Sequence, residues 1–139
     1  MIILDTSGLL AALDESQRMH AAAVAALRGA PVPWILSPFV LTELDYLLAT
    51  RVGQAAERAL LAEIGRGVYR LETLEADDIA TAERLIGRHA DLDIGLADAS
   101  IVVLANRFGV RDVLTLDERH FRVLRGPGGR PFRVLPADA

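Results

Sequence analysis

The chain has 139 residues, 52% of them hydrophobic, which suits one globular domain with a sizeable core and is too short for two. It has no cysteine, and every basic residue is an arginine, which excludes disulfides, thiolate nucleophiles, sulfur-ligated zinc and lysine-based mechanisms. The net charge of −4 argues against simple electrostatic adhesion to nucleic acid or anionic membrane, and the apolar runs fall short of the roughly 20 residues that span a bilayer. We therefore expect a soluble cytoplasmic protein with no secretory signal and no membrane partner.

Strands and helices are predicted to alternate along the chain. Strands are predicted at residues 2–5, 34–36, 68–71, 113–115 and 132–135, and helices at residues 6–13, 16–27, 38–50, 54–64, 75–89, 96–108 and 118–121. A glycine-rich segment, residues 125–131, is predicted to be a flexible loop before the last strand. The alternation predicts a single α/β domain over residues 1–139, an α/β/α sandwich with a mostly parallel central sheet.

Two acidic residues come at the ends of predicted strands. The first strand is apolar without alternation, which is typical of a strand buried on both faces, and it ends on Asp5. Asp117 stands two residues beyond Thr115, where the fourth strand is predicted to end. Sites in open α/β sheets lie beyond the carboxyl ends of the strands, so both acids are expected at the same edge of the sheet.

Two further acids are singled out by helical geometry. In the helix "SPFVLTELDYLL", Glu43 lies about 60° from the centre of the apolar stripe, whereas Asp45 falls on the opposite side. In "LADASIVVLANRF", the residues three, four and seven positions after Asp98 are all apolar. Glu43 and Asp98 are therefore predicted to face the interior, and Asp45 is predicted to face solvent.

Four such acids need a counter-charge. Two carboxylates about 4 Å apart repel each other by roughly 4 kcal/mol at an effective dielectric near 20, and no lysine is available to neutralise them. A divalent cation would reverse the sign, and ligands that are all oxygen favour Mg²⁺ or Mn²⁺. Such ions can activate a water and stabilise the leaving oxygen of a phosphodiester. The sequence thus predicts metal-dependent phosphodiester hydrolysis, with Asp5 as the rigid central ligand.

Four segments resemble one known family when they are taken together and in order. They are "ILDTSGLLA" at the start, "SPFVLTELDYLL" around Glu43, "DLDIGLADASIVVLANRFG" around Asp98 and "VLTLDERHF" around Asp117. Across essentially its whole length the chain resembles the PIN domain family of metal-dependent ribonucleases, and within that family the VapC toxins of bacterial toxin–antitoxin pairs. The resemblance implies a PIN-like fold and an endoribonuclease that uses Mg²⁺ or Mn²⁺ to hydrolyse RNA without a covalent intermediate.

The resemblance also implies roles for individual residues and partners. Asp5, Glu43, Asp98 and Asp117 match the acidic quartet that holds the metal, and Glu118 stands directly beside the fourth acid as an alternative to it. Asp93 matches an acid that is often found before the third motif, and so implies a possible further ligand. Thr6, Ser7 and Thr115 match hydroxyl positions near the metal and the substrate. A homodimer is implied as well, with a small antitoxin whose tail occupies the acidic groove.

Simpler roles remain open for the same residues. Asp5 would suit a turn after a strand, while Glu43 and Asp98 would suit the first turns of helices. Asp117 would suit a helix cap with Arg119 or Arg122 as a surface partner, and Asp93 a loop or cap position. The three histidines are widely separated and are interpreted as surface or packing residues rather than as a base: His20, His89 and His120.

Five arginines follow the fourth acid in a stretch where Glu118 is the only acid: Arg119, Arg122, Arg125, Arg130 and Arg133. With the glycine-rich loop, they would suit contacts to RNA phosphates beside the metal, and Arg119 and Arg122 are the predicted substrate contacts. A solvated surface explains them equally well.

Two other functions compete with the ribonuclease interpretation. Receiver domains and haloacid-dehalogenase-like phosphatases also place an aspartate at a strand end, but their sites use a lysine, which this chain lacks. The phosphatase pattern also requires a second aspartate two positions after the first, where this chain has Ser7. A catalytically inactive module of the same fold that binds only RNA or protein is the other alternative, and the complete set of acids argues against it.

Overall fold

A computed structural model describes all of residues 1–139 and contains a five-stranded sheet with seven α-helices. The strands are β1 (Ile2–Leu4), β2 (Trp34–Leu36), β3 (Tyr69–Leu71), β4 (Asp112–Leu114) and β5 (Arg133–Leu135). The helices are α1 (Thr6–Leu13), α2 (His20–Gly29), α3 (Pro38–Arg51), α4 (Gln54–Gly65), α5 (Ala76–Arg88), α6 (Leu96–Phe108) and α7 (Glu118–Phe121). Two short 3₁₀ turns cover Ala90–Leu92 and Pro127–Gly129.

The sheet has the order β3-β2-β1-β4-β5, and all four neighbouring pairs are parallel. The chain moves outward from β1 to β3 and then crosses back over the sheet to β4 and β5. With right-handed crossovers, this reversal places α1 to α4 on one face and α5 to α7 on the other. The single-domain α/β/α prediction is confirmed, and the mostly parallel sheet is parallel throughout.

The core is built from the two central strands and the helices that cover them. Each residue of β1 is fully buried, as the absence of alternation predicted, because helices cover both faces of the sheet. Helix α6 is buried from Ala99 to Ala105, since it lies across β1 and packs against α5. The two apolar helix positions nearest Asp98, Ile101 and Val102, are therefore interior, as predicted.

Most element boundaries lie within two residues of their predicted positions, with α2 as the main difference. This helix begins at His20 and not at residue 16. The reason is Asp14, which accepts hydrogen bonds from the backbone and hydroxyl of Ser16 and from the side chain of Gln17. These bonds hold a separate turn between α1 and α2, so Asp14 is buried rather than solvated.

The glycine-rich segment is a closed turn rather than an open loop. The backbone N–H of Gly126 donates to the carbonyl of Arg130, and Arg125 pairs with Pro131 in an antiparallel bridge. None of the chain's helices has the length and apolar character required to cross a bilayer.

Candidate active site

A groove of about 700 Å³ opens at the carboxyl edge of the sheet. It lies where the strand order reverses, since β1 is flanked by β2, the next strand in the chain, and by β4, which follows much later. This is the crevice in which ligands bind in open α/β folds. Its lining includes all four acids of the predicted quartet, Asp5, Glu43, Asp98 and Asp117, together with Thr6 and Ser7.

Asp5 is held rigidly at the floor of the groove. Its backbone N–H donates to the carbonyl of Leu114 on β4, and only 5% of the residue is exposed. One carboxylate oxygen, Oδ2, accepts hydrogen bonds from the hydroxyls of Thr115 at 2.6 Å and Ser7 at 3.2 Å. These donors turn the carboxylate toward the groove and leave Oδ1 without a hydrogen bond from a side chain.

The same two hydroxyls join the end of β4 to the start of α1. Ser7 Oγ accepts from the backbone N–H of Leu116 at 2.9 Å, and Thr115 Oγ1 accepts from that of Asp117 at 2.9 Å. Thr115 is buried and does not line the groove, since its hydroxyl is used to connect the first and fourth acids, and so nothing supports its predicted contact with substrate. Thr115 is a positioning residue, whereas the half-buried Ser7 and Thr6 line the groove.

Gly8 explains how α1 reaches so close to β4. A Cβ at this position would lie 2.4 Å from the carbonyl oxygen of Leu114 and 2.8 Å from the nitrogen of Thr115. No side chain fits there, because the contact is with backbone rather than with a movable group. The glycine after the two hydroxyls in "DTSG" was a visible signal of this contact, but its role depends on a strand more than 100 residues later.

Glu43 stands on the wall of the groove formed by α3. Its Oε1 accepts a hydrogen bond from Thr6 Oγ1 at 3.4 Å, which joins α3 to the start of α1. The prediction that Glu43 is interior and Asp45 solvated was wrong, since Glu43 is exposed and Asp45 is partly covered. A residue 60° from the centre of the apolar stripe lies at its border, and at this border the neighbouring surface is an open groove.

Asp98 projects from the first turn of α6. Its Oδ2 accepts a hydrogen bond from the backbone N–H of Gly95 at 3.2 Å. Asp98 therefore stabilises the first turn of α6, which is the structural role left open for it in the sequence. Its side chain is nevertheless 18% exposed and lines the groove opposite Glu43. The two roles are compatible, because the hydrogen bond uses only one of the two carboxylate oxygens.

Asp117 caps α7, and His120 on that helix lies against it. Asp117 Oδ1 accepts from the backbone N–H of His120, and its Oδ2 is 2.8 Å from His120 Nδ1. The same ring nitrogen is 3.5 Å from Asp98 Oδ2. Neither carboxylate lies at an angle suited to a hydrogen bond, so Nδ1 is buried without a hydrogen-bond partner. His120 is thus a packing residue, as one of the two interpretations had it, but it packs within the site, between Asp117 and Asp98, which its i+3 spacing from Asp117 could have indicated.

Two buried serines connect the helices that carry Glu43 and Asp98. Ser37 Oγ and Ser100 Oγ are 2.7 Å apart, and both residues are fully buried. Ser37 also caps α3, since its Oγ accepts from the backbone N–H of Phe39, while Ser100 donates to the carbonyl of Ala97. This contact fixes the start of α3 against the start of α6, and the sequence analysis missed it.

The carboxylates destabilise one another's charge. Burial, partly offset by the hydrogen bonds and reinforced by the nearby Asp98, raises the pKa of Asp5 from 3.8 to about 6. Burial and then the charge of Asp98 raise the pKa of Glu43. Burial likewise raises the pKa of Asp98, with the backbone N–H of Gly95 and His120 opposing the rise and Asp117 adding to it. Asp98 thus interacts electrostatically with each of the other three acids.

Several predicted site residues lie outside the groove. Asp93 is exposed in a left-handed turn with φ of 55°, which supports the loop role and not a metal role. Glu118 and Arg122 form an exposed ion pair on α7, and Arg122 also makes two contacts of 2.7 and 2.8 Å with Asp138. Arg122 does not line the groove and its guanidinium is already held by two carboxylates, so nothing in this arrangement supports the predicted contact with substrate. Arg119 is exposed on the same helix and does not line the groove.

The groove has the chemistry of a divalent-cation site, although no three potential ligands stand in a ready-made metal-holding arrangement. The acids offer only oxygen ligands, and burial first and the charge of neighbouring acids second raise the pKa of three of them, which a bound cation would counteract. The hydroxyls that orient Asp5 and the serines that join α3 to α6 hold the supporting backbone in place. The donor set therefore fits Mg²⁺ or Mn²⁺, and it excludes a soft-metal site.

Comparisons with known proteins agree with this geometry. The family model described as "PIN domain" matches residues 2–126. Over 135 residues the chain is 45% identical to "Ribonuclease VapC26" of Mycobacterium tuberculosis, a match that covers 97% of this chain and 100% of the relative. A crystal structure of Mycobacterium tuberculosis VapC20, described as a sarcin–ricin loop cleaving toxin, superposes with a TM-score of 0.80 at 26% identity. That superposition covers 86% of this chain and 92% of VapC20.

Proposed function

This chain belongs to the PIN domain family, and from that premise we propose that it is a metal-dependent endoribonuclease and the toxin of a toxin–antitoxin pair. The observation that carries the proposal is the convergence of Asp5, Glu43, Asp98 and Asp117 in one groove at the carboxyl edge of the sheet. These residues are up to 112 positions apart in the sequence (117 minus 5), and three of them have a raised pKa. Acids whose pKa is raised by burial and by neighbouring charge cluster at functional sites, which supports the proposal.

The quartet would hold Mg²⁺ or Mn²⁺, since nucleases of this family depend on a metal. When bound, the cation supplies charge stabilisation at the phosphate and a water that is more acidic than bulk water. Asp5 contributes a fixed carboxylate, because Thr115 and Ser7 restrain one of its oxygens. Asp98 and Glu43 contribute carboxylates from opposite walls, and Asp117 contributes one whose rotation His120 limits.

The proposed partners are an RNA substrate, a small VapB-like antitoxin and a second copy of this chain. The similarity to VapC26 and VapC20 supports the RNA and the antitoxin, because both relatives are VapC proteins. The acidic groove supports an antitoxin segment that carries a basic side chain. Size-exclusion chromatography with light scattering tests the homodimer, and co-purification with the product of a neighbouring small open reading frame tests the antitoxin.

The decisive experiment is RNA cleavage by the wild type with EDTA, Mg²⁺ or Mn²⁺, compared with Asp5→Asn and Asp98→Asn. The probes are total cellular RNA and a synthetic sarcin–ricin hairpin, chosen because VapC20 is a toxin that cleaves this loop. We expect cleavage only with a divalent cation, and a loss of at least about 100-fold in each variant, since even residues that merely support metal ligands contribute 10- to 100-fold.

Asp93→Asn is the matched control, because Asp93 is an exposed aspartate outside the groove and asparagine tolerates its left-handed backbone. Equal cleavage by Asp5→Asn and by the wild type would refute the proposal. A wild type that binds RNA and cleaves neither probe with either metal would favour the inactive RNA-binding module instead. Asp93→Asn is expected to cleave like the wild type.

A further inference from the structure

Arg51 is the one basic residue that lines the groove. It ends α3 and follows Glu43 and Leu47 at intervals of four residues, so the three side chains form a row along one side of the helix. None of the five arginines that follow Asp117, including the predicted substrate contacts Arg119 and Arg122, belongs to this lining. An RNA strand in the groove would therefore meet its cationic contact on α3. The contact would not come from the arginines of the C-terminal segment, residues 118–138.

Arg51 is exposed and forms no ion pair. Four arginines of the chain are held by acids: Arg70 by Glu72, Arg107 by Asp78, Arg122 by Glu118 and Asp138, and Arg133 by Asp112. The others are free of ion pairs, as Arg51 is, and what sets Arg51 apart from them is its place in the groove lining. An arginine with all of its donors free, in a groove whose other charged residues are all acids, suits an anionic ligand that enters from outside.

The distance along the helix identifies which part of that ligand Arg51 reaches. Eight residues separate Arg51 from Glu43, which places their backbones about 12 Å apart along the axis of α3. Arg51 and Glu43 therefore stand at different points along the groove, and a phosphate held at Arg51 is expected to be a neighbour of the one at the acids. Apolar side chains line the intervening groove, with Leu10 on α1 facing the same space as Leu47 on α3.

We propose that Arg51 binds an RNA phosphate that flanks the scissile one, so that the strand runs along the groove between α1 and α3. This inference rests on the proposed ribonuclease function and assigns the direction of the substrate within that site. A phosphate contact positions the strand without reading its sequence, so Arg51 sets binding and register rather than base choice.

The first test measures RNA binding without cleavage. An oligouridylate labelled with fluorescein is titrated with Asp5→Asn protein at fixed Mg²⁺ over a range of NaCl concentrations, with fluorescence anisotropy as the readout. Adding Arg51→Gln is expected to weaken binding about three- to fivefold and to reduce the slope of log K against log salt by about 0.7, the value for one phosphate contact on a single strand. Arg51→Lys keeps the charge and is expected to keep most of the slope.

Arg58→Gln is the matched control, because Arg58 is an exposed arginine of α4 that lies outside the groove. It makes the same change in net charge and is expected to leave the slope unchanged. Equal slopes for Arg51→Gln and Arg58→Gln would overturn the proposal and leave Arg51 as a solvated residue. Thermal melts of each variant establish that it is folded.

The second test locates the phosphate. Neutral methylphosphonate linkages are placed one at a time along an RNA that the wild type cleaves, and KM and kcat are measured for each. We expect a neutral linkage at one position beside the cleavage site to raise KM for the wild type. The same linkage should not raise the KM of Arg51→Gln any further, because the contact is already lost in that variant. Additive effects at every position would overturn the proposal. The salt-slope measurement needs no cleavage. An inactive wild type would therefore refute the ribonuclease proposal, and the salt slopes alone would still decide whether Arg51 contacts RNA.

Discussion

The groove and the C-terminal segment of residues 118–138 both carry concentrated charge, and they differ in how that charge is compensated. In the groove, the carboxylates of Asp5, Glu43 and Asp98 have no arginine partner, and their pKa values are raised. In the C-terminal segment, Arg122 is held between Glu118 and Asp138, and the pKa of Asp138 is lowered to about 2 by that guanidinium first and by the N–H of Val134 next.

The difference separates functional charge from structural charge. A carboxylate whose pKa falls in the folded protein stabilises the fold when ionised, whereas one whose pKa rises destabilises it. The buried acids of the groove therefore cost stability, which a bound cation would restore under the proposed function, while the C-terminal ion pairs are complete within the chain. Counting charges along the sequence does not distinguish the two regions, and both were predicted to contact substrate or metal. Four changes test this comparison, in order of decreasing expected effect.

Gly8→Ala is expected to have the largest effect. The added methyl group would overlap the backbone of β4, and overpacking against backbone costs about 3 kcal/mol or more in the free energy of unfolding. Because this contact sets Asp5 beside Asp117, cleavage should be lost even at temperatures where the protein stays folded. Urea denaturation measures the stability.

Gly87→Ala is the control for this change, since Gly87 is an exposed helical glycine with nothing within 4 Å of the added Cβ. It should be neutral or stabilise the protein by up to about 1 kcal/mol, because alanine favours helix. Gly8→Ala protein as stable as the wild type would contradict the close packing of α1 on β4.

The second-largest effect is expected in the pH dependence of the free energy of unfolding, to which Asp5 contributes. Its pKa is raised in the folded state, so the metal-free folded protein holds this proton more tightly than the unfolded chain does, and stability is lost as pH rises from about 4 through 6. The rise from 3.8 to about 6 corresponds to roughly 3 kcal/mol above pH 7. In EDTA, Asp5→Asn should therefore be more stable than the wild type at pH 7 and should converge with it near pH 4.

Urea denaturation at several pH values measures this difference, and subtracting the variant from the wild type removes the contributions of all other groups. Adding Mn²⁺ at pH 7 should stabilise the wild type more than the variant. A wild type that is more stable than Asp5→Asn throughout this pH range in EDTA would show that the buried carboxylate is fully compensated within the chain.

A smaller effect is expected from His120→Ala. The imidazole fills the space between Asp117 and Asp98, and its removal frees both carboxylates to rotate. We expect Mn²⁺ affinity, measured by calorimetry, to fall about tenfold, the lower end for residues that support a metal ligand. His120→Asn keeps a donor near the Nδ1 position and should recover part of the loss, whereas His89→Ala, remote from the groove, should have no effect. Unchanged affinity in His120→Ala would make the ring a packing residue only.

The smallest effect on cleavage is expected from Arg122→Gln. Its guanidinium contacts only Glu118 and Asp138, so the change should lower the unfolding midpoint slightly and leave cleavage within about twofold of the wild type. A KM raised as strongly as in Arg51→Gln would restore the C-terminal segment as an RNA contact and would remove the distinction between the two regions.

The fold class and most of the acidic site were predictable because both depend on local sequence patterns. An unbroken apolar run marks a strand covered on both faces, and an acid at its end marks the carboxyl edge of a parallel sheet. Such patterns predicted the order of the elements and brought Asp5, Glu43, Asp98 and Asp117 to attention. They predicted boundaries less well where a side chain such as Asp14 closes a turn of its own.

The sequence by itself thus determined which elements form and which acids stand at their ends, because periodicity and residue type act over one or two turns of chain. Only the tertiary structure decided which charges are left without a partner. That depends on contacts between segments far apart: Gly8 against β4, Ser37 against Ser100, Arg122 against Asp138, and Arg51 with none. The free energy of a charge is set by everything within a few ångströms of it, and those neighbours exist only once the chain has folded.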